Sequence, residues 1–113
     1  MKSLQQNLKY IRDALNTTSA NGRIGHYKHP AKEKPSFIVW QEDSEAYSHN
    51  TNNRKIQQQI HGTIDCFSLV EYDPLFDEIQ DALDKAGIGW GLLSVQYEDE
   101  TNLIHYEWEF YIA

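Results

Sequence analysis

Asp73-Pro74-Leu75-Phe76-Asp77-Glu78-Ile79-Gln80-Asp81-Ala82-Leu83-Asp84-Lys85-Ala86-Gly87 is the most strongly signalled element of the chain. Asp73 is a residue type whose side chain accepts from the free amides of a first helical turn. Pro74 follows at the first helical position, where the N–H it lacks would go unused. Leu75, Phe76, Ile79, Leu83 and Ala86 recur at the helical period as one apolar stripe, with Asp77, Glu78, Asp81 and Asp84 on the watered side. Gly87 supplies a left-handed C-cap. The stretch predicts a helix over about 73–86, one face of which must be covered by another layer.

That layer is legible on both sides. Downstream, Trp90 to Tyr97 and Leu103 to Ile112 read as strands joined by Glu98-Asp99-Glu100-Thr101-Asn102, a β-hairpin. In the second strand Ile104, Tyr106, Trp108, Phe110 and Ile112 alternate with His105, Glu107, Glu109 and Tyr111, the period of a half-buried strand. Upstream, Ile56 to Leu69 has strand character, with Ile60, Ile64 and Cys66 on one face and Asp65, Phe67 and Leu69 on the other. Gly62 marks a bulge or a close backbone approach. Ser36-Phe37-Ile38-Val39-Trp40-Gln41 is a continuous β-branched and aromatic run, expected to be buried on nearly both faces. Gly22 to Tyr27 is compatible with a short strand or with an extended connection. Pro30 and Pro35 bracket Ala31-Lys32-Glu33-Lys34 in an exposed turn. Leu4, Leu8, Ile11 and Leu15 form the stripe of an N-terminal amphipathic helix over Ser3 to Leu15. The sum is an α+β domain: a mainly antiparallel four-stranded sheet, the two helices packed on one face, and a C-terminal β-hairpin.

The 113 residues fit a single domain spanning 1–113. Glu42 to Lys55 interrupts it. The stretch holds no aliphatic residue beyond Ala46 and is crowded with Asp, Ser, Asn, His and Thr, so a flexible polar insert is expected at about 42–55. No apolar run approaches the ~18–20 residues of a membrane span, and the chain opens without an apolar signal segment. The lone cysteine, Cys66, makes no internal disulfide, and its apolar neighbours favour a small buried hydrophobe over a nucleophile. A soluble protein of a reducing interior is the expectation.

Charge is sorted along the chain. Residues 71–113 carry eleven acids and one base, Lys85, whereas residues 1–70 carry nine bases and six acids. A net charge of −7 disfavours a dedicated nucleic-acid binder. The segregation is most simply a solvated acidic surface. Its sharper reading is complementarity between copies of the chain.

Catalytic and cofactor signatures do not emerge. His26, His29, His61 and His105 lack the convergent Cys pair or His-Glu-x-x-His pattern of a metal site. Glu107 and Glu109 share a strand face at i, i+2, a spacing compatible with paired carboxylates and more often the solvent side of a strand. Gly87-Ile88-Gly89-Trp90-Gly91 follows a helix instead of opening one, so it does not read as a phosphate loop. No catalytic, cofactor-binding or metal residue is therefore assigned, no cofactor is expected, and the protein is expected not to be an enzyme. Trp40, Trp90 and Trp108, seven tyrosines and four phenylalanines chiefly serve the core. Tyr10, Tyr47, Tyr97 and Tyr111 fall outside the best stripes, as candidate interface anchors.

Pro35 to Gln41, the polar insert, Ile64-Asp65-Cys66-Phe67-Ser68, Tyr72 to Ile79 with Leu83 and Ala86-Gly87-Ile88, and Tyr97 to Tyr106 together form a recognisable layout. From Gly25 onward, over about three quarters of the chain, it resembles the tail-completion or tail-terminator (head–tail joining) proteins of long-tailed phages. The resemblance lies in element order and residue type, with no catalytic signature. It implies a non-enzymatic structural protein of a phage or prophage, found in the virion at the head-proximal end of the tail and in host cytoplasm during assembly. Six copies would form a ring that caps the tail tube, contacting the tail-tube protein and the head connector. DNA would pass through without specific binding, and no membrane would be involved. For such contacts the candidates are Lys32, Lys34, Tyr47, Arg54 and Lys55, with Arg23 and Lys28 as further bases. Two other readings come from different classes: a small-ligand or regulatory module using the Trp-rich sheet and, last, a hydrolase-like enzyme using Glu107 and Glu109.

Overall fold

The computed structural model describes residues 3–45 and 59–113. Its elements run α1 (Leu4–Asn16), β1 (Ile24–His26), β2 (Ser36–Glu45), β3 (Ile60–Ser68), α2 (Pro74–Lys85), β4 (Gly89–Glu98) and β5 (Leu103–Ile112). The class is α+β, with one five-stranded mixed sheet in the order β1-β2-β3-β5-β4. This corrects the four-stranded expectation. β1 is a real strand, three residues long and parallel to β2, with Ile24, Gly25 and His26 beside Ile38, Val39 and Trp40. The other pairings are antiparallel.

Each helix is built at its ends as well as along its stripe. Ser3 caps α1 in a reciprocal box: its hydroxyl accepts from Gln6 N at 3.1 Å, and Gln6 Oε1 accepts from Ser3 N at 2.8 Å. Asp73 caps α2, accepting from Leu75 N at 2.9 Å, and Gly87 leaves it at φ +70°. The α1 stripe departs from expectation at its start. Leu4 is exposed, while Asn7 is buried beside Leu8, Ile11, Ala14 and Leu15.

Both helices feed the core that Ile38, Trp40, Ile60, Ile64, Cys66, Trp108, Phe110 and Ile112 provide from the sheet, so they share one face. α2 lies along β5. Phe76 stacks on Tyr106 with centroids 3.8 Å apart, Trp108 Nε1 donates to Gln80 at 3.1 Å, and Trp90 Nε1 donates to Asp84 at 2.8 Å. Tyr10 of α1 donates to the Ala86 carbonyl at 2.7 Å, tying one helix to the end of the other.

Gly62 meets both of its expectations. A bulge in β2 between Glu42 and Ser44 falls opposite it, and a Cβ there would run into the Gln41 carbonyl oxygen and the Phe110 ring. The polar stretch is corrected at its start: Glu42 to Glu45 belong to β2. Side-chain bonds hold them in place of apolar burial, with His26 and Tyr27 on Glu42 and His61 on Asp43. The remainder of the expected insert lies outside the described residues. Leu69, assigned to a strand face, sits exposed just past the end of β3.

Two substitutions test this packing in a denaturant titration. Leu83→Ala removes a fully buried side chain of α2 and should cost about 2–4 kcal/mol. Gly62→Ala should cost about 1–3 kcal/mol, because a carbonyl fixed in a ladder and a ring fixed in the core cannot both retreat. An unchanged midpoint in either variant contradicts the corresponding contact.

Candidate functional site

The face of the sheet away from the helices carries the second phase of every strand. Phe37, Val39 and Gln41 come from β2, and His61, Thr63, Asp65 and Phe67 from β3. β5 adds His105, Glu107, Glu109 and Tyr111. The loop between β1 and β2 folds over one part of this face. His29 packs on Phe37 and Phe67, with centroids 5.1 and 5.9 Å away, and Phe67 in turn stacks on His105 at 4.2 Å. That cover explains why Phe37 is buried on the face opposite Ile38 and Trp40.

The four histidines singled out in the sequence occupy four separate places, each against a carboxylate. His26 Nε2 lies 2.8 Å from Glu42, His29 Nδ1 2.8 Å from Glu33, and His105 Nε2 2.7 Å from Asp65. His61 is held at both nitrogens, with Nδ1 2.7 Å from Asp43 and Nε2 3.1 Å from Glu109. Among the described residues no three metal-ligating side chains converge.

The His61 group has the most developed electrostatics. The hydrogen bond to Asp43 raises the imidazole above its ordinary 6.5; partial burial opposes this, and Glu109 adds to the rise. Burial works against the Asp43 carboxylate, but bonds from His61 and Ser44 outweigh it and bring it below 3.8. Glu109 is lowered by hydrogen bonds from Tyr111 and then His61, and the Tyr111 phenol rises in return. A similar group stands on the helix-bearing face at the end of β1. Burial is the largest influence on Glu42 and would raise it, yet hydrogen bonds from Tyr27 and His26 leave it lowered. Tyr27, stacked on His26, is raised by that same bond to Glu42. The first group sets an imidazole between two carboxylates, and the second sets one carboxylate between an imidazole and a phenol. Neither pairs a base with a nucleophile, the arrangement that acyl or glycosyl transfer would use.

Cys66 is fully buried in β3, and burial pushes its thiol up, followed by the charges of Asp73 and Asp65. Glu107 and Glu109 do share one face. Glu109 is engaged by His61, and Glu107 accepts from Ser94 Oγ at 3.4 Å. Trp40 and Trp108 are core residues, 2% and 0% exposed, so the sheet does not present them to a ligand.

Of the candidate contact residues, Lys32 and Lys34 stand exposed in the loop between β1 and β2, next to the Ser36 end of the sheet. Tyr47, Arg54 and Lys55 lie outside the described residues. Glu45 and Ile60 are paired at the end of β2 and β3 opposite Ser36 and Ser68. Arg23, a further base, is committed to the fold: its Nε donates to the Ser36 carbonyl at 2.6 Å and Nη2 to the Ser19 carbonyl at 3.2 Å.

Sequence reasoning missed the bonds from His61 to Asp43 and Glu109. Three chain segments supply those residues, and only strand register brings them together. It also missed the exposure of Leu92 and Val95 on β4, although it singled out Tyr97, which is exposed there. No helix among the described residues is long and apolar enough to cross a membrane. Compared with protein-family models and with curated proteins, the chain matches none at a significant level.

The His61 group predicts a specific dependence on pH. Its raised folded-state pKa means that its stabilisation is complete below about pH 6.5 and fades as pH rises through the folded value. The lowered Asp43 and Glu109 stabilise above their ordinary 3.8 and 4.5, and that share fades as pH falls through their folded values. The group is therefore strongest between these limits. His61→Asn should cost most near about pH 6 and least near about pH 8.5, read as the difference in denaturation midpoint from wild type. A difference constant across that range contradicts the pairing.

Proposed function

We propose that this protein is a structural component of a long-tailed phage or prophage, which caps the head-proximal end of the tail tube and joins it to the head connector. Its working form is a hexameric ring on the tail, in contact with the tail-tube protein on one side and the connector on the other. It belongs to the virion and passes through host cytoplasm during assembly. It is not an enzyme and uses no cofactor.

The observation that carries the reading is the coherence of the stretches that resemble tail-completion proteins. Residues 35–41, 64–68, 72–79 with 83 and 86–88, and 97–106 fall on or beside β2, β3, α2 and the β4–β5 hairpin, which are neighbours in one packed unit. The resemblance in order is thus also an arrangement in space. Acidic composition supports passage of DNA without binding, since a surface rich in carboxylates repels phosphate. The small-ligand alternative drew on the tryptophans, and two of the three are committed to the core.

The test is a phage or induced prophage in which this gene is disrupted. Lysates should contain filled heads and separate tails, and adding the purified protein should produce joined particles visible by electron microscopy. Unimpaired joining without the gene overturns the reading. In the same assay, a protein lacking residues 46–55 but keeping Asp43 to Glu45 should stay folded, because Asp43 is tied to His61, and should join fewer particles. Full joining by that variant removes the segment from the contact.

A further inference from the structure

The two edges of the sheet differ in kind. β4 is ten residues long, about 33 Å of extended chain, and among the described residues its outer edge has no partner strand. It carries no Lys, Arg or Pro, and its one charge, Glu98, stands at its end. Edges that must remain single are protected by charge, proline, shortness or bulges; β4 has one irregularity, between Leu92 and Ser94, and is otherwise an open apolar edge, a template for another chain. The side chains agree. Leu92, Val95 and Tyr97 are 47%, 49% and 59% exposed, although they pair with Trp108, Tyr106 and Ile104 in the phase that faces the core. α2 meets β5 at Tyr106 and Trp108 and β4 at Trp90, and beyond Trp90 these three side chains stay about half exposed.

The other edge is short and basic. β1 has three residues, and the loop beside it exposes Lys28, Lys32 and Lys34. Glu33, between two of these lysines, is bound to His29. Among the described residues, none of the three lysines has an ion-pair partner. At the end of β4 the turn exposes Asp99 and Glu100. Register fixes the relative level of the two groups. Ser36 pairs with Ser68, Ser68 with Ile104, and Ile104 with Tyr97. Lys34, two residues before the start of β2, and the acidic turn thus lie at the same end of the sheet, on its β1 and β4 sides, three strand spacings or about 14 Å apart along that row.

We infer that the chain associates with further copies of itself head to tail, the β4 edge of one copy against the β1 edge of the next, with Asp99 and Glu100 facing Lys32 and Lys34. The contact rests on the ring reading above and supplies its joint. Because the opposite charges stand at one level along the strands, the operation relating neighbours is a rotation about an axis roughly parallel to the strands. Such an operation closes rings, whereas an offset would build a filament. The apolar strip supplies the area, and the charges set orientation.

The experiment uses the full chain and two charge-reversed variants, Asp99→Lys with Glu100→Lys, and Lys32→Glu with Lys34→Glu. Mass is followed by sedimentation at rising protein concentration and low salt. Wild type should associate, and each variant alone should associate roughly a hundredfold more weakly while keeping its circular dichroism spectrum, because like charges then face one another. An equimolar mixture should recover the association, since the reversed β4 edge of one variant then meets the reversed β1 edge of the other, and the two unchanged edges meet as in wild type, both with opposite sign. A pairing of β4 with β4 would instead leave the Lys32→Glu with Lys34→Glu variant associating as wild type does, and that result overturns the proposal. So does a wild-type chain that stays monomeric throughout, or a pair of variants that associate as wild type does. Val95→Arg, which leaves the charges alone, should also abolish association, and no effect counts against the β4 edge. The joining assay separates the two claims. Wild type that associates through these edges yet never joins heads to tails overturns the tail reading alone. Both variants joining as well as wild type overturns the contact alone.

Discussion

The nine-pair register between β3 and β5 is the constraint on which the rest of the structure depends. Both strands are strictly alternating, and a slip of one residue would turn Ile64, Trp108 and Phe110 to solvent and bring Asp65, Glu107 and Glu109 under the helices. The helices can therefore dock in one way only. α2 meets Tyr106, Trp108 and Trp90 in turn along its length, and Gly62 lets the Phe110 ring close against β3 without a gap. On the opposite face the same register brings His61 to Glu109 and Asp65 to His105. Core packing and surface electrostatics thus have a common cause.

One consequence is that the sheet is wider than its cover. Two helices of 13 and 12 residues share one core, and Leu92, Val95 and Tyr97 on β4 stay about half exposed beside it. At roughly 25 cal/mol per Å² of apolar area, three half-exposed side chains on one edge are a considerable unused driving force. The β1 edge needs less protection. It is short, three residues, and the loop that returns from Tyr27 packs on the helix-free face, with His29 on Phe37.

Elements that carry their own signal were legible in the sequence. α2 was marked by its cap, its proline, its stripe and its glycine. β5 was marked by uninterrupted alternation, and β3 by alternation up to Ser68. What escaped depends on partners distant in the chain. β1 has three residues and little strand propensity; it exists because β2 offers an edge and His26 stacks on Trp40 at 3.8 Å. Glu42 to Glu45 read as loop because its residues are polar, yet histidine and tyrosine hold it in β2. Lys32 and Lys34 could be placed on the surface from their bracketing prolines, since an exposed turn is a local property. The His61 group could not, because residues 43, 61 and 109 meet only once the register is known.

The two faces and the edge of this sheet also differ in what they still need. On the helix-free face His29, His61 and His105 and their carboxylates satisfy one another, and a partner docking there would have to desolvate pairs that are already made, a cost that offsets the gain from its own contacts. The β4 edge is the reverse case. Among the described residues its outer edge has no partner strand, Leu92, Val95 and Tyr97 on it are about half exposed, and past Glu98 the acidic Asp99 and Glu100 are exposed without an ion-pair partner. Covering it releases water from apolar surface and breaks no existing pair. On energetic grounds, then, association belongs at the edge, and the polar face is left to orient towards solvent.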